Sequence, residues 1–123
     1  MNYTVDEYIK IAAEFLKGFG FRKSRQTWRK ETTESILVFN IQRSEWDNSK
    51  FYINVGVYFR KLGNDVNPTE NVCHVRTRIS TDNLENSTTI AIDWLKAREC
   101  LDDAKKLASH DSKHGLVYKE LRH

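Results

Sequence analysis

The sequence predicts a single α+β domain over residues 1–123: an N-terminal helix, a four-stranded antiparallel meander with room for a fifth strand, and a C-terminal helix, the helices lying on one sheet face. Three observations carry this. Apolar residues recur at spacings of three and four at both ends of the chain, and they alternate with polar ones through the middle. At 123 residues, 39% hydrophobic and 30% charged with a single proline, the chain has the size and balance of one folded core.

The first helix begins at the capping-box pattern Thr4-x-x-Glu7 and carries Val5, Tyr8, Ile9, Ala12, Phe15, Leu16 and Phe19 on one stripe. Gly18 and Gly20 tolerate a left-handed exit and should end it. Gln26–Lys30 around Trp28 reads as a short basic strand, Glu31–Glu34 as a turn and Ser35–Arg43 as a long strand, so the two form a hairpin. Ser44–Lys50 is rich in turn residues, Phe51–Arg60 is the next strand, 61–71 is linker-like, and Val72–Ser80 completes the meander. Beyond Asp82, Ile90, Trp94, Ala97, Leu101, Ala104 and Ala108 recur at helical spacing. Thr88–Ile92 fits equally a helix start or a short fifth strand with Asp93 as cap, and Leu116–Tyr118 could add an edge strand in an otherwise irregular tail.

Alternation splits each strand into two sets. Leu37, Phe39, Ile41, Phe51, Ile53, Val55, Val57, Phe59, Cys73, Val75, Thr77 and Ile79 form an apolar set that should face the helices. The opposite set holds Ile36, Val38, Asn40, Gln42, Tyr52, Asn54, Gly56, Tyr58, Arg60, His74, Arg76, Arg78 and Ser80, a mixture of amides, rings and guanidinium groups suited to holding a partner. The same groups would equally satisfy one another on a solvated sheet.

Composition narrows the function classes. No apolar run reaches the length of a membrane span, and Asp6 and Glu7 stand where a secretory signal would be basic and then apolar, so a cytoplasmic protein is expected. Two cysteines, Cys73 and Cys100, make no disulfide framework and should be reduced. The net charge is +3, but residues 21–62 hold nine Lys or Arg against four acids while residues 82–123 hold seven against eight.

Three segments taken in order, Val38–Ser44 (VFNIQRS), Phe51–Tyr58 (FYINVGVY) and Cys73–Arg78 (CHVRTR), resemble the bacterial "domain of unknown function 4304" family. In that family an Asn-Leu-Gln-Lys-Ser-like strand, an Ile-Asn-Leu-Gly-Val-like strand and a Cys-His-Ile-Arg-like strand follow a helix ending in Gly-Phe, as Gly20-Phe21 does here. The likeness covers roughly residues 5–80, and Ile41 and Val55 replace leucines of the pattern. It implies the fold and no activity.

Motifs with chemical content are few. His110 and His114 are four apart, but Gly115 and the intervening Asp-Ser oppose a helix and no third ligand stands at a recognisable spacing, so no metal is expected. Cys73 and His74 are adjacent on a strand and point apart, which suits a buried thiol better than a nucleophile with its base. Glu99, Asp102 and Asp103 read as a solvated helix surface rather than an acid/base pair. Gly18-x-Gly20 lacks a third glycine and leaves a helix instead of opening one, so no nucleotide cofactor is expected. Arg22, Lys23, Arg25, Arg29 and Lys30 surround Trp28 as a nucleic-acid-binding hairpin would, although Trp28 could simply close the core edge. Trp46, in a polar loop, could anchor a partner together with Arg43 or fold back over the strand ends.

The expectation is therefore a non-enzymatic protein-binding domain, of the kind represented by bacterial immunity proteins that neutralise a toxin. A nucleic-acid-binding module built on the basic Trp28 hairpin is the alternative. The residues expected to meet a partner are Asn40, Gln42, Arg43, Trp46, Tyr52, Asn54, Tyr58, His74, Arg76 and Arg78.

Overall fold

The structure is a computed structural model and describes residues 4–47, 49–110 and 116–117. Helix α1 (Val5–Gly18) starts at Thr4, whose hydroxyl accepts from the Glu7 amide while the Glu7 carboxylate reaches back to the Thr4 backbone. It ends as expected at the glycines, and Gly20 takes the left-handed conformation with φ 89°. Among the described residues six strands follow in chain order: β1 (Arg22–Ser24), β2 (Thr27–Glu31), β3 (Ser35–Arg43), β4 (Phe51–Phe59), β5 (Val75–Ile79) and, after two helices, the two-residue β6 (Leu116–Val117). Each pairs antiparallel with its neighbour, so spatial order equals sequence order.

The expected meander is present and gains β1, a strand without an apolar residue that turns into β2 through Arg25, at φ 59°, and Gln26. Leu116–Val117 does form an edge strand, and Tyr118 lies outside the described residues.

The helical region differs from expectation in two ways. Thr88–Ile92 is helical, inside α2 (Leu84–Ala97), and the expected long helix is broken, with α3 (Leu101–His110) following three residues later. The break is held from the β2–β3 turn. Buried Ser35 donates its hydroxyl to the Glu99 carbonyl at 2.8 Å, and the Glu34 carboxylate accepts from the Leu101 amide at 3.4 Å, at the positive end of α3. The inward face of α2 is Ser87, Thr88, Ala91, Ile92 and Leu95 rather than the Ile90–Trp94–Ala97 stripe. Two hydroxyls can face the core because Tyr8 meets them there: its phenol shares hydrogen bonds with Ser87 Oγ at 3.0 Å and Thr88 Oγ1 at 2.7 Å. Ile90 is left exposed, and half-buried Trp94 lies under the Arg98 guanidinium at 4.3 Å.

Helices α1, α2 and α3 pack on one sheet face. Their buried residues join Trp28, Leu37, Phe39, Ile41, Phe51, Ile53, Val55, Val57, Phe59, Val75 and Ile79 in a single core. Cys73 does not belong to it. Glu70–Val72 is a 3-10 turn and β5 begins only at Val75, so alternation does not extend back to Cys73, which sits on the far face with Ile36, Val38 and Tyr58. Among the described residues no helix is long and apolar enough to cross a membrane.

Candidate functional site

The far face is divided between a covered half and an open half. The segment 60–74, which contains two 3-10 turns, folds back across β3 and β4. It comes close because two glycines leave space for it. A Cβ on Gly56 would stand 2.6 Å from Cys73 Cβ, and one on Gly63 would run into the Tyr58 hydroxyl. That hydroxyl accepts from the Asp65 amide at 3.0 Å, and Arg29 Nε donates to the Pro68 carbonyl at 2.8 Å from β2. The His74 ring lies 4.6 Å from the Tyr58 ring, and its Nδ1 accepts from the Phe59 amide at 2.9 Å, which fixes the proton on Nε2 when the ring is neutral.

Three expected partner residues are thereby taken out of reach or committed. Tyr58 beneath this segment and His74 at its end are each 6% exposed, and Arg76 is held by the Glu70 carboxylate through Nε at 3.0 Å. Cys73 is fully buried, and burial pushes its thiol far above the ordinary range, with the nearby Glu70 charge adding to this. That environment does not make a nucleophile.

The open half is a ladder of amides and a guanidinium across three strands. β3 and β4 place Asn40 opposite Asn54 and Gln42 opposite Tyr52, and β4 and β5 place Asn54 opposite Arg78. Asn54 Nδ2 donates to Asn40 Oδ1 at 3.2 Å and to Gln42 Oε1 at 3.0 Å, while its Oδ1 accepts from Arg78 Nε at 3.1 Å. Asn40 Nδ2 in turn donates to the Gln26 carbonyl and to Thr27 Oγ1. Asn54 itself is 6% exposed, so it organises the ladder and is not its contact surface. What faces outward is Gln42, the Arg78 guanidinium and the Tyr52 ring beneath it at 4.2 Å. Beside them a depression of about 550 Å³ is lined by Lys50, Phe51, Tyr52, Arg78 and Ile79 among others.

The β3–β4 loop closes this end. Ser44 Oγ accepts from the amides of Trp46 and Asp47, and the Asp47 carboxylate accepts from both the amide and hydroxyl of Ser49, bonds that hold its carboxyl below the usual carboxylate range. The loop presents Trp46 outward, 94% exposed. Arg43 does not accompany it. As an odd-numbered β3 residue it lies on the helix side and pairs with Asp6 at the start of α1.

Trp28 is fully buried, edge-on to Phe39 at 5.8 Å with the Lys23 ammonium 5.5 Å over its ring, so it has no face to offer a base. The His110–His114 spacing falls outside the described residues, which include neither His114 nor the side chain of His110. Among the described residues no three His, Cys, Asp or Glu side chains come together as metal ligands would.

An antiparallel meander with helices on one face and a folded-back segment over half of the other defines an α+β domain whose distinctive polar groups lie on the sheet. The family described as "Domain of unknown function (DUF4304)" matches over residues 12–120, and the chain belongs to that family. The match extends past the three strands that carry the likeness in sequence and takes in the helical region. Comparison with curated proteins and with solved structures finds no match.

Proposed function

We propose that this chain is a non-enzymatic protein-binding domain that docks through the open half of its sheet and the β3–β4 loop. The single observation behind this is Trp46, which carries a full indole into solvent at 94% exposure from a loop braced by its own hydrogen bonds. Exposing so large an apolar group has a cost that interfaces recover, and Trp, Tyr and Arg are the usual energetic centres of such contacts. Tyr52 and Arg78 stand near the same end of β3–β5 with their orientation already set, so binding orders few further side chains. The partner that fits has a pocket for the indole and carboxylates for Arg78 and Lys50.

In its finer form the reading is neutralisation of a toxin, the domain occupying the active site or docking surface of its target. The test is growth rescue. A toxin encoded beside this gene is co-expressed with the wild-type chain, with Trp46→Ala, with Arg78→Ala and with Lys105→Ala on α3 as control. Protection by wild type and Lys105→Ala, lost in the other two at equal protein level, supports the reading. Equal protection by all four rejects the docking surface, and no protection by any rejects neutralisation.

A further inference from the structure

A second cleft lies at the other end of the far face, between the β1–β2 hairpin and residues 66–67 of the folded-back segment. Its volume is about 430 Å³, within the ordinary range of small-ligand sites of roughly 300–1,000 Å³. Its chemistry is lopsided. Arg22 and Arg29 are directly opposite one another across the antiparallel pair, so both guanidinium groups stand on the same face of the hairpin, with Ser24 beside them. Like charges placed so weaken a hairpin unless something neutralises them. The carboxylate in the lining is Glu31, and its Oε1 is already paired with Arg60 Nη2 at 3.3 Å. Among the described residues neither Arg22 nor Lys30 has an ion-pair partner, and Arg29 is held by its Nε to the Pro68 carbonyl at 2.8 Å, which orients its fork while leaving its Nη groups without a hydrogen-bond partner. Ile36 closes the floor from within the buried far-face cluster, and Val66, 76% exposed, forms an apolar rim.

We propose that this cleft binds the phosphate group of a small, mononucleotide-sized ligand, with Arg22 and Arg29 as a two-guanidinium clamp and Val66 at the rim against the rest of the molecule. Two planar forks on one face match the oxygens of a phosphate, and a preset fork loses less freedom on binding than a mobile one. The site is separate from the Trp46 end and stands or falls independently of the docking proposal.

The test is calorimetric titration of the full chain at low salt with adenosine monophosphate, pyrophosphate and adenosine, against wild type, Arg22→Gln, Arg29→Gln and the α1 control Lys10→Gln. The two phosphate-bearing probes should bind wild type and Lys10→Gln, weakening as salt rises, and adenosine should not. Each arginine variant should lose roughly tenfold or more in affinity. Arg22 is exposed and bonded to no other side chain among the described residues, so Arg22→Gln should melt no lower than wild type and is the deciding variant. Absence of phosphate binding, or undiminished binding by a folded Arg22→Gln, overturns the proposal. So does Arg22-dependent binding of a short single-stranded RNA when neither small probe binds, which would make the cleft part of a polynucleotide track.

Discussion

Replacing Gly56 by alanine tests whether residues 60–74 really seal half of the far face. The new Cβ would meet Cys73 Cβ at 2.6 Å, Cys73 Sγ at 2.8 Å and the Val75 carbonyl at 3.2 Å. Ordinary contact needs about 1 Å more, and a β4 residue between two paired strands cannot retreat, so Cys73 must move. Its neighbours resist, because the Cys73 amide is bonded to the Glu70 carbonyl, the His74 amide to the Val57 carbonyl and the Phe59 amide to His74 Nδ1. Overpacking of this kind costs about 1–3 kcal/mol, and losing one such hydrogen bond adds about 1 kcal/mol. The conformational gain of replacing glycine in a strand returns roughly 0.5–1 kcal/mol. The net expectation is a loss of about 2 kcal/mol, which for a domain of this size lowers Tm by roughly 5–10 °C. Guanidinium unfolding followed by circular dichroism measures it, and a double-mutant cycle with Cys73→Gly assigns it. Since Cys73→Ala keeps the offending Cβ, only the glycine partner should relieve the clash, with a coupling of at least about 1 kcal/mol. Gly56→Ala within about 0.5 kcal/mol of wild type, or additive with Cys73→Gly, would mean that the segment does not rest on β4. Tyr58 and His74 would then return to the list of accessible residues.

Further outcomes are expected elsewhere in the molecule. Tyr8→Phe should cost about 1–2 kcal/mol, since Ser87 and Thr88 lose their shared phenol inside the core. Burial raises the Tyr8 pKa above its ordinary 10.0, so its protonated form favours the folded state: that contribution is complete below pH 10 and is lost as pH rises beyond it, and alkaline denaturation should be shallower in Tyr8→Phe than in wild type. With a thiol reagent at pH 8 the native protein should show one accessible cysteine, Cys100, slowed by its hydrogen bond to Glu34, while Cys73 reacts only on unfolding; Cys100→Ser should abolish the native-state reaction. Trp46→Ala should leave stability within about 0.5 kcal/mol of wild type yet remove most of the acrylamide-quenchable fluorescence; a larger stability loss would show an indole packed on the domain.

The strands were legible because their alternation is strict. Leu37, Phe39 and Ile41 on β3, and Phe51, Ile53, Val55, Val57 and Phe59 on β4, face the helices as the two-residue period requires. The same rule fails at Cys73, which lies between a 3-10 turn and the start of β5 at Val75, a boundary that no residue type announces. β1 escaped notice because Arg-Lys-Ser at a sheet edge has no apolar side to display. The helix break at residues 98–100 carries neither glycine nor proline, and its cause, Ser35 and Glu34, lies more than sixty residues earlier in the chain. The inward stripe of α2 is hidden in the sequence because Ser87 and Thr88 are polar, and only Tyr8 explains why they can be inside.

The candidate surface was half legible. Asn40, Gln42, Tyr52, Asn54 and Arg78 do meet on one face, but the covering of Tyr58, His74 and Arg76 depends on a segment whose own residues read as an ordinary linker. The sequence does carry one signal of the covering: Gly56 in the middle of an apolar strand is a weakness there unless another backbone comes close. It marked the place where Cys73 lies.

One consequence follows from the shortness of β1. A sheet that ends in a bare ladder of amides invites a second molecule to add itself on, and long unguarded borders of that kind seed fibres. Here the border offers only three residues, two of them cationic, beside a left-handed Arg25. A neighbouring copy would bring its own arginine and lysine to the same place and be repelled, so the charges that make this hairpin look like a binding element also keep it from recruiting its own kind.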